Sequence, residues 1–418
     1  MKSDLDRLME AQGIDALLIP STENEDPYRT YLSRGAQYHG MVVKKRGEDP
    51  VLIANGMEVD EAAKSGLKVY SMEDFDYSLI GKDFKDDAPG YQVAYYRRIF
   101  EKLGVRGKLA IYGVSDINAT LFMILNLQHG LKDLIEITPI GELAQPVPSR
   151  MRNSLFEDAY ETKDPDEIDK LRTAARGASA AMVAAREFIG AQRAENGIVV
   201  QPDGTPLTIG EVKRYVRQKL QEFGLEDPEG MIFAQGRDSG MPHSKGEDSD
   251  PLRLGQTIVF DLFPRIPGGY YHDMTRTWSI GYATPEVQKA YDLVMEAVDR
   301  SVEMCKAGTP TNTVQKMVCE FFETNGHPTV LNTPGTTKGY VHSLAHGLGL
   351  NVHEAPYFPT FSEKYHLKPG NVFTIEPGLY YPDEGYGVRI EDTVYLNEKG
   401  ELETLTDCPY DLVIELEG

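Results

Sequence analysis

The chain has 418 residues, 41% hydrophobic and 26% charged, which excludes a mainly disordered or collagen-like protein and suggests two or three globular domains. Its 65 acidic and 43 basic residues leave a net charge of −22, a field that repels phosphate backbones, so nucleic acid is not expected as a partner. No apolar run approaches the ~18–20 residues of a membrane-spanning helix, so no membrane is expected either. The opening residues show no charged-then-apolar leader. The scattered cysteines Cys305, Cys319 and Cys408 form no Cys-x-x-Cys pair, as expected of buried thiols in a reducing cytoplasm.

The first 150 residues alternate helix and strand signals. Ser3 to Gln12 reads as a helix ended by Gly13, and Asp15 to Pro20 as a buried strand. Tyr38 to Lys45 and Pro50 to Ala54 read as a strand pair across Arg46 to Asp49. Leu109 to Gly113 is a further strand, with a helix near Ile117 to Leu127. This alternation predicts an α/β layer domain without a glycine-rich phosphate loop. A boundary is expected near Gln145 to Pro148, dividing the chain into domains at 1–154 and 155–418.

Beyond it, Asp164 suits a helix N-cap, Pro165 the first turn and Glu167 the closing position of a capping box. A long helix should follow, then a loop or hairpin over Gly197 to Leu207 and a helix over Ile209 to Phe223. Strands are expected at Thr257 to Phe263 and Tyr270 to Ile280, and helices at Pro285 to Lys306 and Thr313 to Asn325. Further strands are expected at Asn371 to Tyr380 and Tyr386 to Leu396. The order predicts a sheet with helices on one side.

Two pairs of acids interrupt these apolar strands. Asp261 and Asp273 flank a turn centred near Pro267, which would set them opposite each other with β-carbons roughly 5 Å apart. Such a pair needs a protonated member, a cation between the two, or a bond to a nearby backbone group or Arg276. Glu376 and Glu391 repeat the arrangement across Pro382 to Gly385, and four buried carboxylates need positive charge. His342, His346 and His353 fall within twelve glycine-rich residues, and His243 is a fourth candidate. Oxygen-rich ligation with one imidazole suits Mn²⁺, Co²⁺, Fe²⁺ or Zn²⁺. Bridging carboxylates suggest two metals about 3.5–4 Å apart and metal-assisted hydrolysis.

Five ordered stretches carry a family resemblance: Asp261-Leu-Phe-Pro-Arg265, Tyr271-His-Asp-Met-Thr-Arg-Thr277, His346 to Pro356, Thr374 to Tyr380 and Gly387 to Asp392. Residues 155–415 resemble the M24 metallopeptidases, the Xaa-Pro aminopeptidases and Xaa-Pro dipeptidases. The front 150 residues resemble, more loosely, the family's creatinase-type N-terminal domain. The resemblance implies an α/β (α+β) chain with a pita-bread catalytic domain behind a smaller α/β domain. It implies two divalent metals, manganese first, held by Asp261, Asp273, His346, Glu376 and Glu391. Asp273 and Glu391 would bridge both metals. The implied reaction is attack of a dinuclear-metal-activated hydroxide on the bond before a proline in second position, with Glu376 moving the proton. His243 and His353 would contact substrate and steady the tetrahedral intermediate, His342 would lie near the proline pocket, and Arg389 and Tyr380 would orient carboxylates. A cytoplasmic homodimer is the expected form.

Three departures stand out. The aspartates are twelve apart, one more than in many relatives, and Ala345 replaces a usual glycine. Tyr357 stands where many microbial relatives have an arginine that helps dipeptidases bind the substrate carboxylate. The last departure favours an aminopeptidase over a dipeptidase. Filled ligand positions disfavour a metal-free creatinase-like hydrolase and a non-catalytic binding module, and the long N-terminal domain disfavours a methionine aminopeptidase. Another reaction on the same metal scaffold remains an alternative.

Overall fold

A computed structural model describes residues 2–143, 151–152 and 154–417. They form two compact units, Met1–Tyr160 and Glu161–Gly418. The expected boundary stretch Gln145 to Pro148 lies outside the described residues.

The first unit runs α1 (Leu5–Ala11), β1 (Ala16–Ile19), α2 (Pro27–Leu32), β2 (Gly40–Lys45), β3 (Val51–Ala54), α3 (Val59–Ala63) and β4 (Lys68–Ser71). It continues with α4 (Tyr77–Asp83), α5 (Ala88–Leu103), β5 (Gly107–Ile111), α6 (Ile117–Gly130), β6 (Ile135–Ile137), the short pair β7 (Glu142–Leu143) and β8 (Met151–Arg152), and α7 (Leu155–Tyr160). One sheet orders the strands β4-β3-β2-β1-β5-β6. The β2–β3 hairpin is antiparallel, whereas β1, β5 and β6 run parallel, with helix α6 returning the chain between β5 and β6. Ile99 and Phe100 of α5 and Leu127 of α6 belong to the core that covers Leu18, Val43 and Leu109. The compact unit extends through α7 to Tyr160. The reason is aromatic: Phe156 of α7 packs edge-on against Tyr28 and Tyr112, and Tyr160 against Tyr31.

The second unit opens with α8 (Pro165–Gly190), where Glu167 reaches back to accept the Asp164 amide at 2.9 Å. The hairpin β9 (Arg193–Glu195) and β10 (Ile198–Val200) turns at Asn196 and Gly197, both at positive φ as a two-residue turn of this hand requires. Then come α9 (Ile209–Glu222), β11 (Ile232–Gln235), β12 (Thr257–Leu262), β13 (Met274–Ile280), α10 (Pro285–Met304) and α11 (Thr311–Thr324). The remainder is β14 (His346–Gly347), β15 (Glu354–Tyr357), β16 (Val372–Ile375), β17 (Gly378–Tyr381), β18 (Tyr386–Arg389), β19 (Asp392–Leu396), β20 (Leu402–Thr404) and β21 (Val413–Ile414).

The single sheet expected here is divided. One sheet orders β11-β12-β13-β21, a second β15-β14-β16-β19-β20, and β17 and β18 form a separate two-stranded pair. Each larger sheet has its own helix pair. Ala178 and Met182 of α8 and Val216 of α9 share a core with Phe233, Phe260 and Trp278. Val294 of α10 and Val318 and Phe322 of α11 share one with Phe373, Ile375 and Val394. Each fully buried side chain of this size contributes about 1.5–3 kcal/mol.

The long strands expected at 371–380 and 386–396 each break in the middle. Pro377 has no N–H to continue a ladder. The Glu376 amide instead donates to Leu344 O at 2.8 Å, and the Glu391 amide to Thr275 O at 3.0 Å. Both breaks therefore fall at the acids singled out from sequence.

Candidate metal centre

In the first hairpin, Asp261 pairs with Thr275 and Leu262 with Met274, not Asp261 with Asp273. The turn is centred on Gly268 rather than Pro267. Gly268 takes φ +62, and the bonds from the Ile266 amide to Tyr270 O and from the His272 amide to Pro264 O close the ladder around it. Moving the centre by one residue moves the partner by two, and side chains alternate with a period of two. Asp273 therefore stays on the face of Asp261, as its diagonal neighbour. Arg276 points to the opposite face and does not pair with either aspartate. It meets Asp392 at 2.8 Å.

The second hairpin matches the expectation more closely. The β16–β19 and β17–β18 pairings share one register, and carried across the break it sets Glu376 opposite Glu391. A backbone bridge between Thr275 and Glu391 joins the two hairpins. That bridge brings acids distant in sequence to one point.

His346 comes from β14. A β-carbon at Gly347 would lie 2.2 Å from Ala355 O, so only glycine lets β14 approach β15 this closely. The His346 Nδ1–H donates to Gly347 O at 3.1 Å, which leaves Nε2 with a free lone pair. That nitrogen lies 3.4 Å from Glu376 Oε1 and 3.8 Å from Asp273 Oδ2. Asp273, His346 and Glu391 can each place one donor atom within 4.8 Å of the others. Ala345 is accommodated in the α10–α11 core.

The electrostatics are those of an unbalanced acid cluster. Burial, then the charges of Glu391, Asp261 and Glu376, pushes the Asp273 carboxyl well above its usual range. Burial and Glu391 do the same to Glu376. Burial and Asp261 push Glu391 up to about 8. Burial, then His353, pushes His346 down to about 3, so the imidazole is neutral and available as a donor.

One guanidinium orders the carboxylates from the side. Arg389 Nη2 donates to Asp261 Oδ2 at 2.7 Å, Nη1 to the Tyr380 hydroxyl at 3.0 Å, and Nε to Thr275 Oγ1 at 3.0 Å. Thr275 Oγ1 in turn donates to Glu391 Oε2 at 2.8 Å. The Tyr380 hydroxyl donates to His342 Nε2 at 2.8 Å, while His342 Nδ1–H donates to Ser343 O. Burial holds His342 down to about 4, so it accepts as the neutral ring. Thr275 received no role from sequence. Its signal was its position two residues after Asp273 in a strand, which puts a hydroxyl on the acids' face.

Two predicted residues stand at the exposed side. His353 is exposed, with its ring centroid 4.2 Å from that of His346. His243 is exposed in the turn whose Pro242 carbonyl accepts from Arg389 Nη1 at 3.3 Å. Tyr357 lies in β15 and packs edge-on against Tyr365.

The donors fit divalent metal ions. Asp261 Oδ1, Asp273 Oδ1 and Glu391 Oε1 are buried without a hydrogen-bond partner, although buried polar atoms normally have one. Three orphaned carboxylate oxygens beside a free imidazole nitrogen form an oxygen-rich set with one nitrogen, and a cation supplies what each lacks.

Comparison with known proteins agrees with this geometry. Residues 169–398 match the profile described as metallopeptidase family M24. The chain is 30% identical over 286 residues to the probable dipeptidase PepE of Mycobacterium tuberculosis, covering 68% of this chain and 66% of that protein. It is 32% identical over 249 residues to the Xaa-Pro dipeptidase of Pyrococcus furiosus, covering 59% and 64%. The matches thus span slightly less than two thirds of these relatives' lengths. The fold is that of the X-Pro aminopeptidase from Thermotoga maritima, with a TM-score of 0.74 at 24% identity over 98% of this chain and 100% of that one. The Xaa-Pro dipeptidase from Bacillus anthracis superposes with a TM-score of 0.72 at 24% identity over 98% and 99%. The chain belongs to metallopeptidase family M24.

Proposed function

We propose that this chain hydrolyses the Xaa-Pro bond at the N-terminus of peptides, as an Xaa-Pro aminopeptidase. The observation that carries the reading is the convergence of Asp261, Asp273, His346, Glu376 and Glu391 with three orphaned buried oxygens, in a chain of this family. Two divalent ions held there would supply Lewis acidity toward the scissile carbonyl and lower the pKa of an attacking water. Glu376, whose side chain is 16% exposed, takes that water's proton and passes it to the leaving proline nitrogen. His353 donates to the developing oxyanion from the exposed rim, and His243 steadies the substrate beside it. His342, held by Tyr380, lies against the proline ring. Arg389 holds Asp261 in place through its 2.7 Å hydrogen bond. Manganese as the metal, a homodimer, a cytoplasmic location and the domain division at 154/155 belong to the same reading and rest on the family resemblance.

An Xaa-Pro dipeptidase is the second reading, favoured by the names of the relatives above. Tyr357 tips the choice, because no arginine stands there for a substrate C-terminal carboxylate. The test is product analysis with metal-stripped protein reloaded with Mn²⁺, offering Ala-Pro and Ala-Pro-Ala side by side with chelator controls. Cleavage of the tripeptide with a poor dipeptide rate is expected. The reverse order would make the enzyme a dipeptidase, and no cleavage despite bound metal would overturn the peptidase reading.

A further inference from the structure

Behind the histidine loop lies a buried ion pair that the reaction above does not use. Lys163 Nζ is 2.9 Å from Glu354 Oε2, with the two side chains 1% and 2% exposed. Glu354 Oε1 accepts from the Asn351 amide at 2.9 Å and from Asn351 Nδ2 at 3.1 Å. Lys163 is itself fixed: its amide donates to Gly370 O at 2.8 Å, and the next residue begins the cap of α8. A β-carbon at Gly349 would lie 2.5 Å from Glu354 Oε2 and 2.9 Å from Lys163 Cε, so the loop backbone rests directly on the pair. Gly349 O accepts the Tyr271 amide at 2.8 Å, which ties the loop to the segment leading into Asp273.

The segment between Gly347 and His353 thus closes over a charge pair, and its ends carry His346 and His353 with ring centroids 4.2 Å apart. Stability alone is a weak reason for such a pair, since two apolar side chains of similar volume serve a core as well or better. A hydrogen-bonded ion pair fixes direction, which an apolar contact does not.

We propose that Lys163 and Glu354 are positioning residues that hold the 347–353 loop and thereby aim His353 at the reacting carbonyl. The catalytic half of this proposal rests on the reading that His353 faces substrate. Glu354 acts from the residue next to His353, and Lys163 acts through Glu354.

The test uses full-length Lys163→Met, Glu354→Gln and the double variant Lys163→Met/Glu354→Met, each with His353 intact and in a His353→Ala background. Hydrogen exchange over 347–353, metal per chain, melting temperature and the kinetics of Ala-Pro-Ala cleavage are measured. Both single variants should speed exchange of the loop while metal per chain stays unchanged. They should lower kcat about 10²-fold, the effect of misplacing a catalytic group by about 1 Å, with KM little changed. In the His353→Ala background the same changes should cost less than about 2-fold, because the pair and His353 act as one unit. The double variant should regain melting temperature without regaining kcat. Full additivity with His353→Ala, or recovery of kcat with melting temperature, would make the pair structural only. Unchanged loop exchange in Glu354→Gln, which keeps the shape of the side chain, would overturn the proposal even if the protein cleaved no Xaa-Pro peptide. Failure of the wild type to cleave would sink the functional reading alone.

Discussion

The two faces of β13 bury charge in opposite ways. On one face, Arg276 has every donor satisfied. It binds Asp392 at 2.8 Å and the carbonyls of Pro409, Thr275, Glu391 and Cys408 at 2.8–3.0 Å. Tyr410 lies under the guanidinium at 4.4 Å and donates to the other Asp392 oxygen. On the other face, Asp261, Asp273, Glu376 and Glu391 share one guanidinium, Arg389, and three of their oxygens have no partner. Neighbouring residues are divided between the faces, Thr275 from Arg276 and Glu391 from Asp392, by strand alternation. The Arg276–Asp392 pair has its bonding met, and Arg276 grips the Thr275–Glu391 bridge from behind. The unsatisfied face is incomplete without a cation. Buried charge by itself therefore says little about function, whereas unmet bonding capacity says a great deal.

The contrast breaks most sharply at its acidic side. Asp273→Asn should remove metal and turnover together, with activity falling at least about 10⁴-fold, the scale of losing a principal catalytic group. Elemental analysis beside a peptide assay checks it, and a metal-free variant with near-normal turnover would contradict the account. On the satisfied face the loss should appear in stability. Arg276→Met leaves Asp392 buried and unpaired, which costs about 3–5 kcal/mol. Denaturant unfolding of the metal-free protein measures that cost, and a change below about 1 kcal/mol would mean that the Arg276 cluster is dispensable.

The acidic face also carries a pH signature. Glu391 has a folded-state pKa of about 8 against an ordinary 4.5, raised first by burial and then by Asp261. Its folded value lies above its unfolded one, so its favourable contribution is complete below about pH 4.5 and is lost as pH rises through about 8. Metal-free wild type should therefore lose melting temperature over that window relative to Glu391→Gln. Added Mn²⁺ should cancel the loss, because coordination stabilises the ionised carboxylate. Parallel melting curves for the two metal-free proteins from pH 5 to 8 would refute the assignment.

Much of this centre is legible in residue types. Strand alternation and the two turns identify Asp261, Asp273, Glu376 and Glu391, and the glycines around His346 mark a close backbone approach. What the spacing misses is register. A turn centred on Gly268 instead of Pro267 leaves the linear pattern nearly unchanged, yet it moves Asp273 from opposite Asp261 to the diagonal. The division into two sheets is also hidden, because the breaks at Glu376 and Ile390 depend on where Leu344 and Thr275 lie in space. The end of the first unit at Tyr160 is tertiary too, set by the aromatic contacts of Phe156 and Tyr160 rather than by any local signal.

Thr275 is where register and function meet, and it carries the subtlest expected effect. Being opposite Asp261, it accepts from Arg389 and donates to Glu391, so one hydroxyl couples the guanidinium to a carboxylate it does not touch directly. Thr275→Val keeps the β-branched shape and the strand, and removes both bonds. Partners of this kind to ligand carboxylates typically matter by about 10–100-fold in metal affinity. Titration of metal-stripped protein with Mn²⁺ should therefore show weaker binding by that factor, with melting of the metal-free protein changed little. Thr275→Ser keeps the hydroxyl and should restore most of the affinity. If valine and serine behaved alike, the hydroxyl would be irrelevant and Arg389 would have to order Glu391 through charge alone.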